Sequence, residues 1–411
     1  MYTEIKKCRI CKSSSLKNIL NLGEQCLTGV FPKNPDEEVT KGPLDLVACM
    51  KCGLLQLKQS FSLDEMYGDN YGYRSSLNQT MVTHLEKKIS SLQSLCPLST
   101  GDIVVDIGSN DATTLKLYNT EGVKKIGIDP TGNKFSKYYT DGIELITDFF
   151  PSELFYKLMN SNKAKIITSI AMFYDLEDPK FFVNKIAESL HEDGIWHFEQ
   201  SYMPLMLEMN SYDTICHEHL EFYSFTVIKN LLDKCGLKII DVEINDINGG
   251  SFAVTACHKN SVMYEINNAV INLLLNQEKE LGIGTMKPYI DFSKRVSAHK
   301  DNLLGLLTAL KKEGKKIFGY GASTKGNVLL QYCGITKDEI PYIAEVNDDK
   351  FGCFTPGSNI PIIPEVEARK MNPDYYFVLP WHFKHNILEK EKEFSASGGK
   401  FIFPLPQIEI I

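Results

Sequence analysis

The chain has 411 residues, of which 43% are apolar and 10% aromatic, and a chain of this size and composition is expected to fold into two or three globular domains. The formal net charge of −8 provides no basic surface for nucleic acid or an anionic membrane, so neither partner is expected. No apolar run approaches the roughly 20 residues that span a bilayer, and the first residues lack the apolar segment of a signal peptide, so a cytoplasmic location is expected.

Residues 1–80 consist of short apolar runs broken by turn residues, with a cysteine pair near each end. In a reducing compartment, close cysteine pairs indicate metal binding before disulfides. Four thiolates in two C-x-x-C pairs can bind zinc with no open coordination position, which predicts a structural site. The alternative is two unrelated pairs of buried cysteines. The predicted zinc ligands are Cys8, Cys11, Cys49 and Cys52, whereas Cys26, Cys96, Cys235, Cys257, Cys333 and Cys353 are expected to be small apolar residues.

Residues 81–260 alternate predicted helices and strands. An amphipathic helix, TMVTHLEKKISSLQSL, is followed by predicted strands in DIVVDIGSND, KKIGIDP, AKIITSIAMFYDL and GIWHFEQSY. A further helix, PKFFVNKIAESLHEDG, is predicted to end at Gly194, and Asn248-Gly249-Gly250 predicts a hairpin. A parallel sheet closed by an antiparallel hairpin is typical of the class I methyltransferase fold.

Three of these strands are followed by residues suited to one ligand. A glycine turn after the first lets backbone approach the ligand closely, an acid after the second can accept ribose hydroxyls, and an Asp-Phe pair after the third can flank adenine. The turn lacks the GxGxxG spacing of a dinucleotide site, and the three features in order favour S-adenosylmethionine (SAM) over a generic Rossmann-like sheet. The predicted SAM contacts are Asp106, Gly108, Ser109, Asn110, Asp129, Asp148 and Phe149.

Residues 261–411 begin with a long helical segment, interpreted as a linker, and continue as a second α/β alternation. The segment GYGASTKGN, Gly319 to Asn327, follows a predicted strand and opens a helix. Its glycines, hydroxyls, lysine and helix N-terminus suit an anion or phosphate site. A glycine turn needed only for close packing is an equal alternative.

The segment YDTICHEHLEFYS, residues 212–224, follows the strand GIWHFEQSY at the edge where ligands bind in α/β sheets. On an extended chain, His217 and His219 face one side and Glu218 the other. Three interpretations stay open: an incomplete zinc site, a structural histidine, and a general base tuned by a carboxylate.

Taken in order, these motifs resemble the nucleotide-sugar C-methyltransferases of bacterial deoxysugar pathways. The resemblance covers nearly the whole chain and rests on CRICKSSSLKNILNLGEQCLTGVFP, CMKCGLLQL, DIGSND, IGIDP, DTICHEHLEFYS, GYGASTKGN, PGSNIPI and GGKFIFPLP. It implies a zinc-binding domain in residues 1–80, a class I SAM-dependent methyltransferase domain in 81–260, and a helical linker with a C-terminal Rossmann-like domain in 261–411. The oligomeric state stays open, with a monomer as one option.

The resemblance also implies a reaction: methyl transfer from SAM to a carbon next to the ketone of an NDP-4-keto-6-deoxysugar, usually carbon 3. Such a carbon attacks only after a base has removed its proton, and the enolate oxygen then needs a donor or cation. By resemblance the base is His219, assisted by Glu218, and Tyr73 approaches the sugar. The predicted substrate contacts are Tyr73, Ser75, Tyr174, Cys216, His217 and Lys325, the last inferred to meet the diphosphate.

Two positions depart from the family pattern. Tyr174 or its neighbours stand where relatives have a histidine, and Cys216 stands where they have a tyrosine just before the HEH element. The departures leave the sugar and the methylated atom open, so an O- or N-methyltransferase acting on a sugar nucleotide is an alternative. A non-catalytic zinc and nucleotide binding module and an RNA-directed methyltransferase are further alternatives, and the acidic charge balance argues against RNA.

Overall fold

The computed structural model describes residues 2–62, 66, 74–77 and 79–411. Its N-terminal part is a small β structure that is completed by a strand from much later in the chain. A two-stranded sheet pairs the first and fifth strands, and the four-stranded sheet has a short edge strand that directly follows the HEH loop, which we define as residues 212–220. The strands are β1 (Tyr2–Glu4), β2 (Leu16–Cys26), β3 (Lys41–Cys49), β4 (Leu55–Leu57), β5 (Gln59–Phe61) and the edge strand β11 (Glu221–Phe222), which pairs with β4.

The central part is a seven-stranded sheet flanked by helices. Its strands are β6 (Ile103–Ile107), β7 (Lys124–Ile128), β8 (Glu144–Ile146), β9 (Ala164–Ile170), β10 (Leu190–Ser201), β12 (Leu237–Asn245) and β13 (Ser251–His258). The helices are α1 (Gln79–Leu95), α2 (Thr113–Lys116), α3 (Gly132–Phe135), α4 (Glu153–Met159), α5 (Pro179–Ser189), α6 (Met203–Glu208) and α7 (Phe225–Lys234).

The strand order β12-β13-β10-β9-β6-β7-β8 is the one expected of a class I methyltransferase. Strands β10, β9, β6, β7 and β8 are parallel, and β13 joins β10 antiparallel. Strands β12 and β13 pair antiparallel on either side of residues 246–250, which confirms the predicted hairpin. The five residues of β6 are all buried because helices cover both faces of a parallel sheet.

One predicted boundary is wrong. Helix α5 ends at Ser189, and Gly194 lies inside β10 rather than at the end of a helix. A Cβ atom at Gly194 would lie 2.9 Å from the carbonyl oxygens of both Ala164 and Lys165. The glycine is therefore required by the close approach of two strands and not by a helix cap.

The C-terminal part begins with two helices, α8 (Asn268–Glu280) and α9 (Lys287–Lys312), and continues as a six-stranded sheet. Its strands are β14 (Ile317–Tyr320), β15 (Ile343–Glu345), β16 (Ile362–Pro364), β17 (Tyr375–Val378), β18 (Lys400–Phe403) and β19 (Glu409–Ile410), with helices α10 (Thr324–Cys333), α11 (Glu365–Lys370), α12 (Lys384–Lys390) and α13 (Lys392–Ala396). The order β16-β15-β14-β17-β18-β19 is that of a Rossmann-like sheet, with only β19 antiparallel.

The three parts share their apolar cores. One core combines the inner face of the N-terminal sheet, the first residues of the HEH loop, helix α9 and the C-terminal sheet. A second joins the cysteine knuckles to the central sheet. No helix in the described ranges is long and apolar enough to cross a bilayer.

Candidate functional site

The four predicted zinc ligands meet at one point. The Sγ atoms of Cys8, Cys11, Cys49 and Cys52 all lie within 4.8 Å of one another, and the closest pairs, Cys8–Cys52 and Cys11–Cys49, are 3.5 Å apart. Tetrahedral zinc with Zn–S bonds near 2.3 Å places sulfur atoms about 3.8 Å apart, so the cluster fits the ion. The Cys8 and Cys52 thiols share a hydrogen bond, which lowers the pKa of Cys8 and raises that of Cys52.

The turn after β6 has the shape that a ligand site needs. Gly108 adopts a φ of 76°, and a Cβ atom there would lie 3.0 Å from Cγ of Met172, in the loop that follows β9. Asp106 is buried, and burial raises its pKa to about 7 although Thr168 donates a hydrogen bond to its carboxylate at 2.5 Å. The backbone of this turn therefore passes close to the loop after β9, at the point where β6 and β9 lie side by side.

The second predicted element of the SAM site is Asp129, just beyond β7. Its carboxylate accepts hydrogen bonds from the amides of Asn110 at 2.8 Å and Thr131 at 2.7 Å, so it fixes the glycine turn to its own loop. The side chain of Ser109 shares a hydrogen bond of 2.7 Å with Tyr139. The hydroxyl of Thr131 also donates a hydrogen bond to the Asp129 carboxylate, at 2.5 Å, so protein groups use part of its acceptor capacity.

The third element lies at the surface beyond β8. Asp148 is exposed and accepts a hydrogen bond from the amide of Phe149 at 2.8 Å, and the Phe149 ring is 42% exposed. An exposed aromatic face at the sheet edge suits stacking against a purine. The three predicted elements thus follow neighbouring strands at the same edge of one sheet.

The segment before α1 covers the glycine turn. The amide of Ser75 donates a hydrogen bond to the Asn110 side chain at 3.0 Å, and the amide of Ser76 donates one to Asp111 at 3.1 Å. Ser75 is therefore placed beside the predicted SAM turn. Tyr73, predicted to contact the sugar, lies outside the described residues.

The HEH loop brings His219 to the same edge of the sheet. Its half-buried ring lies 4.4 Å from the ring of Tyr174, in the loop that also carries Met172. Nδ1 of His219 is 2.8 Å from the carbonyl oxygen of Thr214. Because a carbonyl can only accept, Nδ1 carries the proton and the neutral imidazole has its lone pair on Nε2. Burial lowers the pKa of His219 to about 4, so the ring is an unprotonated base at neutral pH.

The other predicted residues of the HEH loop are not placed as an extended chain would place them. The amide of His219 bonds to the carbonyl of Cys216, so the loop turns and the two histidines part. His217 is completely buried, edge-on to Phe61 at 4.6 Å, and burial lowers its pKa to about 4. Cys216 is only 1% exposed. Both side chains are therefore buried in protein, and their expected contact with the substrate stays a prediction.

Glu218 is half-buried, and burial raises the pKa of its carboxyl. It faces the N-terminal part, because a Cβ atom at Gly29 would lie 3.1 Å from its Oε1. The group that orients His219 is the carbonyl of Thr214 rather than this carboxylate, which changes the role expected for Glu218.

The predicted anion site at Gly319 to Asn327 is already filled by protein groups. The amide of Ala322 donates a hydrogen bond to the Glu345 carboxylate at 2.7 Å, and that of Gly326 donates one to the Ser323 hydroxyl at 3.0 Å. A carboxylate at this turn repels a second anion. The Nζ of Lys325 donates a hydrogen bond to the carbonyl of Asn248 in the central part, at 2.7 Å, and the diphosphate contact inferred for this lysine stays a prediction.

Further residues at this site were not predicted. Trp381, beyond β17, donates a hydrogen bond from Nε1 to Oδ2 of the buried Asp213 at 2.8 Å. Next to it, His382 is half-buried, and burial lowers its pKa to about 3. The sequence placed Asp213 beside the HEH element but gave no sign of its tryptophan partner. Thr214 acts through its backbone carbonyl, and no pattern of side chains in the sequence indicates such a role.

Comparisons with known proteins match all three parts. Residues 8–67 match a family described as "Putative zinc binding domain", residues 81–242 a "Methyltransferase domain", and residues 246–406 a "C-methyltransferase C-terminal domain". C-methyltransferase NovU from Streptomyces niveus is 31% identical over 410 residues, which cover 99% of this chain and 97% of NovU.

Two solved structures resemble part of the chain. A SAM-dependent methyltransferase from Clostridium acetobutylicum is 14% identical with a TM-score of 0.34, and the match covers 43% of this chain and 92% of the chain in that structure. Magnesium protoporphyrin IX methyltransferase from Synechocystis, with bound SAM, is 12% identical with a TM-score of 0.32, and the match covers 44% of this chain and 79% of the chain in that structure.

The sheet order, the glycine turn and the matching domains define a SAM-dependent methyltransferase with an N-terminal zinc-binding domain. The match to NovU covers nearly the whole of both chains, so it identifies a narrower group than SAM-dependent methyltransferases in general. The chain belongs to the C-methyltransferase family.

Proposed function

We propose that this C-methyltransferase acts on the carbon next to the ketone of an NDP-4-keto-6-deoxysugar, with carbon 3 as the expected position. The observation that carries the proposal is the His219 imidazole, whose Nδ1 proton is committed to the carbonyl of Thr214 and whose Nε2 is left as a base. A carbon nucleophile needs such a base, because the α proton must leave before carbon can attack.

The surroundings of His219 support this chemistry. Its ring lies against Tyr174, and the loop that carries Tyr174 also packs on the glycine turn of the SAM site through Met172. The base and the predicted SAM turn are thus separated by one short loop. SAM supplies an electrophilic methyl group, and the chain's part is to align the two substrates and to hold the proton on Nε2.

Most of the predicted SAM contacts retain their roles in this proposal. Asp106, Gly108, Ser109 and Asn110 form the turn over which the methionine end of SAM would lie. Asp129 would bind the ribose, and Asp148 with Phe149 would flank the adenine. Ser75 lies beside this turn, and Tyr73 remains an expected sugar contact.

The test combines product analysis with isotope exchange. The chain is incubated with SAM and a panel of dTDP-, GDP- and CDP-4-keto-6-deoxysugars in deuterated water, and the product is analysed by mass spectrometry and NMR. A new C–CH₃ group together with solvent deuterium at the α position of unreacted sugar is expected. A methyl group on oxygen or nitrogen would contradict the proposal and favour the O- or N-methyltransferase.

The base is tested by His219→Asn, which we expect to slow turnover about 10²–10⁴-fold, the range typical of a lost general base. SAM affinity, measured by calorimetry, should stay unchanged because the SAM turn is not altered. The exposed His385 provides a matched control, and His385→Asn should keep full activity. Normal turnover by His219→Asn would refute the assignment of the base.

A further inference from the structure

The two α/β sheets present their ligand-binding edges to each other. Strand β6 lies between β7 and β9, and strand β14 lies between β15 and β17. The chain leaves each central strand towards one neighbour and returns later on its other side, which creates a crevice at the carboxyl ends of the strands. The loops beyond β14 and β17 contact the central part at this edge: Lys325 bonds to Asn248, and Trp381 bonds to Asp213. The C-terminal part therefore contributes side chains to the space around His219.

The Lys325 ammonium is the cation in this space. It has three N–H donors, and among the described residues the carbonyl of Asn248 is its hydrogen-bond acceptor. Its side chain is half-buried, as are those of His219 and His382. Among the described residues the ammonium has no second hydrogen-bond acceptor, so its other N–H groups can bind a ligand atom that enters between the two parts.

Lys325 interacts electrostatically with Asp213, His219 and His382. The carboxylate of Asp213 is fixed by Trp381 and attracts the ammonium, which opposes the effect of burial on the pKa of Lys325. The positive charge of Lys325 in turn lowers the pKa of both His219 and His382. The contacts agree with this placement. Lys325 bonds to Asn248, and a Cβ atom at the next residue, Gly249, would lie 3.8 Å from Cβ of His382. Asp213, the partner of Trp381, precedes Thr214, whose carbonyl holds His219.

We propose that Lys325 is a further catalytic residue, whose ammonium stabilises the negative charge that forms on the sugar's carbonyl oxygen when His219 removes the α proton. The inference rests on the proposed function, because it assigns a partner to the oxyanion that this function creates. A fixed cation in a partly dehydrated site is suited to this role, since it needs no reorganisation when the charge develops.

The electrons and protons balance. Nε2 of His219 takes the proton from the carbon, the C–H electron pair becomes a C=C bond, and the carbonyl π pair moves onto oxygen, beside Lys325. When the carbon bonds to the methyl group, the carbonyl double bond forms again and the electron pair of the broken S–C bond stays on sulfur. His219 then releases its proton to solvent. Lys325 keeps its own proton throughout and acts only through its charge.

The test measures proton exchange without methyl transfer. The panel sugar that the wild-type protein methylates is incubated in deuterated water with S-adenosylhomocysteine, and deuterium incorporation at the α carbon is followed by NMR. Full-length Lys325→Met should exchange about 10²–10³-fold more slowly, the loss typical of one oxyanion donor. The KM for the sugar should change only a few-fold, and Lys325→Arg should recover part of the exchange rate because it keeps the charge.

A matched control separates charge from packing. Lys350 is also half-buried, also has its pKa lowered by burial, and donates a hydrogen bond to the carbonyl of Ala322 at 2.7 Å, in the turn that leads to Lys325. Lys350→Met should therefore show the structural cost of losing a lysine at this turn, with exchange within a few-fold of the wild type. SAM affinity measured by calorimetry verifies that each variant is folded, and Lys325→Gln replaces Lys325→Met if the latter is not.

Three outcomes would overturn the inference: wild-type exchange by Lys325→Met, an equal loss in Lys350→Met, or a raised KM with an unchanged maximal exchange rate. The last would assign Lys325 to the diphosphate. If the wild-type protein methylates none of the panel sugars, it is the proposed function that fails, and this result is distinct from all three.

Discussion

At the scale of single residues, the decisive contact of His219 is with a backbone carbonyl. A carboxylate partner would stabilise the imidazolium and raise the pKa of the histidine, whereas the neutral carbonyl of Thr214 mainly fixes the tautomer. Burial and the charge of Lys325 then lower the pKa to about 4. The base is therefore kept unprotonated over the whole physiological pH range.

This predicts the pH dependence of the reaction. The base must be unprotonated to act, so on the acid side kcat/KM should fall only as the pH approaches about 4, with no inflection near 6.5. The measurement is kcat/KM for the methylated sugar between pH 5 and 9, with circular dichroism at each pH to verify folding. A clear loss of activity centred near pH 6.5 would mean that the essential histidine is not buried in this way.

The residues that could be predicted from the sequence are those whose chemistry is local. Four cysteines in two C-x-x-C pairs define a metal site almost by themselves, and the structure brings their sulfur atoms together. By contrast, the pairing of Asp213 with Trp381 joins residues far apart in the chain. The burial of His217 depends on Phe61 in another part of the molecule. Such contacts depend on how the parts pack, which no local pattern encodes.

At the scale of elements, the alternation of strands and helices was enough to predict both α/β sheets, because hydrophobic runs and turn residues are local signals. The orders of the strands in the two sheets were not predicted, because local signals do not specify which strands become neighbours. The wrong helix end at Gly194 has a different origin. A glycine after a helical run is typical of a C-cap, but here β10 needs it to pass close to β9.

The requirement for glycine at position 194 can be tested by comparing two glycine-to-alanine substitutions. In Gly194→Ala the new methyl group would meet three backbone carbonyl oxygens at 2.9–3.0 Å, and backbone cannot move aside as a side chain can. We expect a cost of about 2 kcal/mol, the usual range for overpacking, and a lower midpoint of thermal unfolding. Gly305, in α9, has open space around its Cα, so Gly305→Ala should raise the midpoint slightly. Equal midpoints for the two variants would contradict the argument.

At the scale of the whole molecule, residues 26–29 connect all three parts. The Gln331 side chain in α10 bonds to both the amide and the carbonyl of Cys26, at 2.7 and 3.2 Å, and Asn327 donates a hydrogen bond to the carbonyl of Thr28 at 2.8 Å. Gly29 lies against Glu218 of the HEH loop. The N-terminal part therefore supports both the loop that carries the base and the helix that carries Lys325.

Removal of zinc should consequently abolish turnover, although no cysteine of the cluster lies at the reacting centre. The metal fixes two knuckles of the small N-terminal sheet, and β11 joins that sheet directly after the HEH loop, so loss of zinc should release His219 from its position. We expect Cys8→Ser to lose both its bound zinc, measured by mass spectrometry of the metal, and its α-proton exchange. The control Cys235→Ala, outside the cluster, should keep both. SAM binding should weaken much less than exchange, because the glycine turn belongs to the central sheet. A zinc-free protein with full exchange activity would show that the N-terminal part does not position the base.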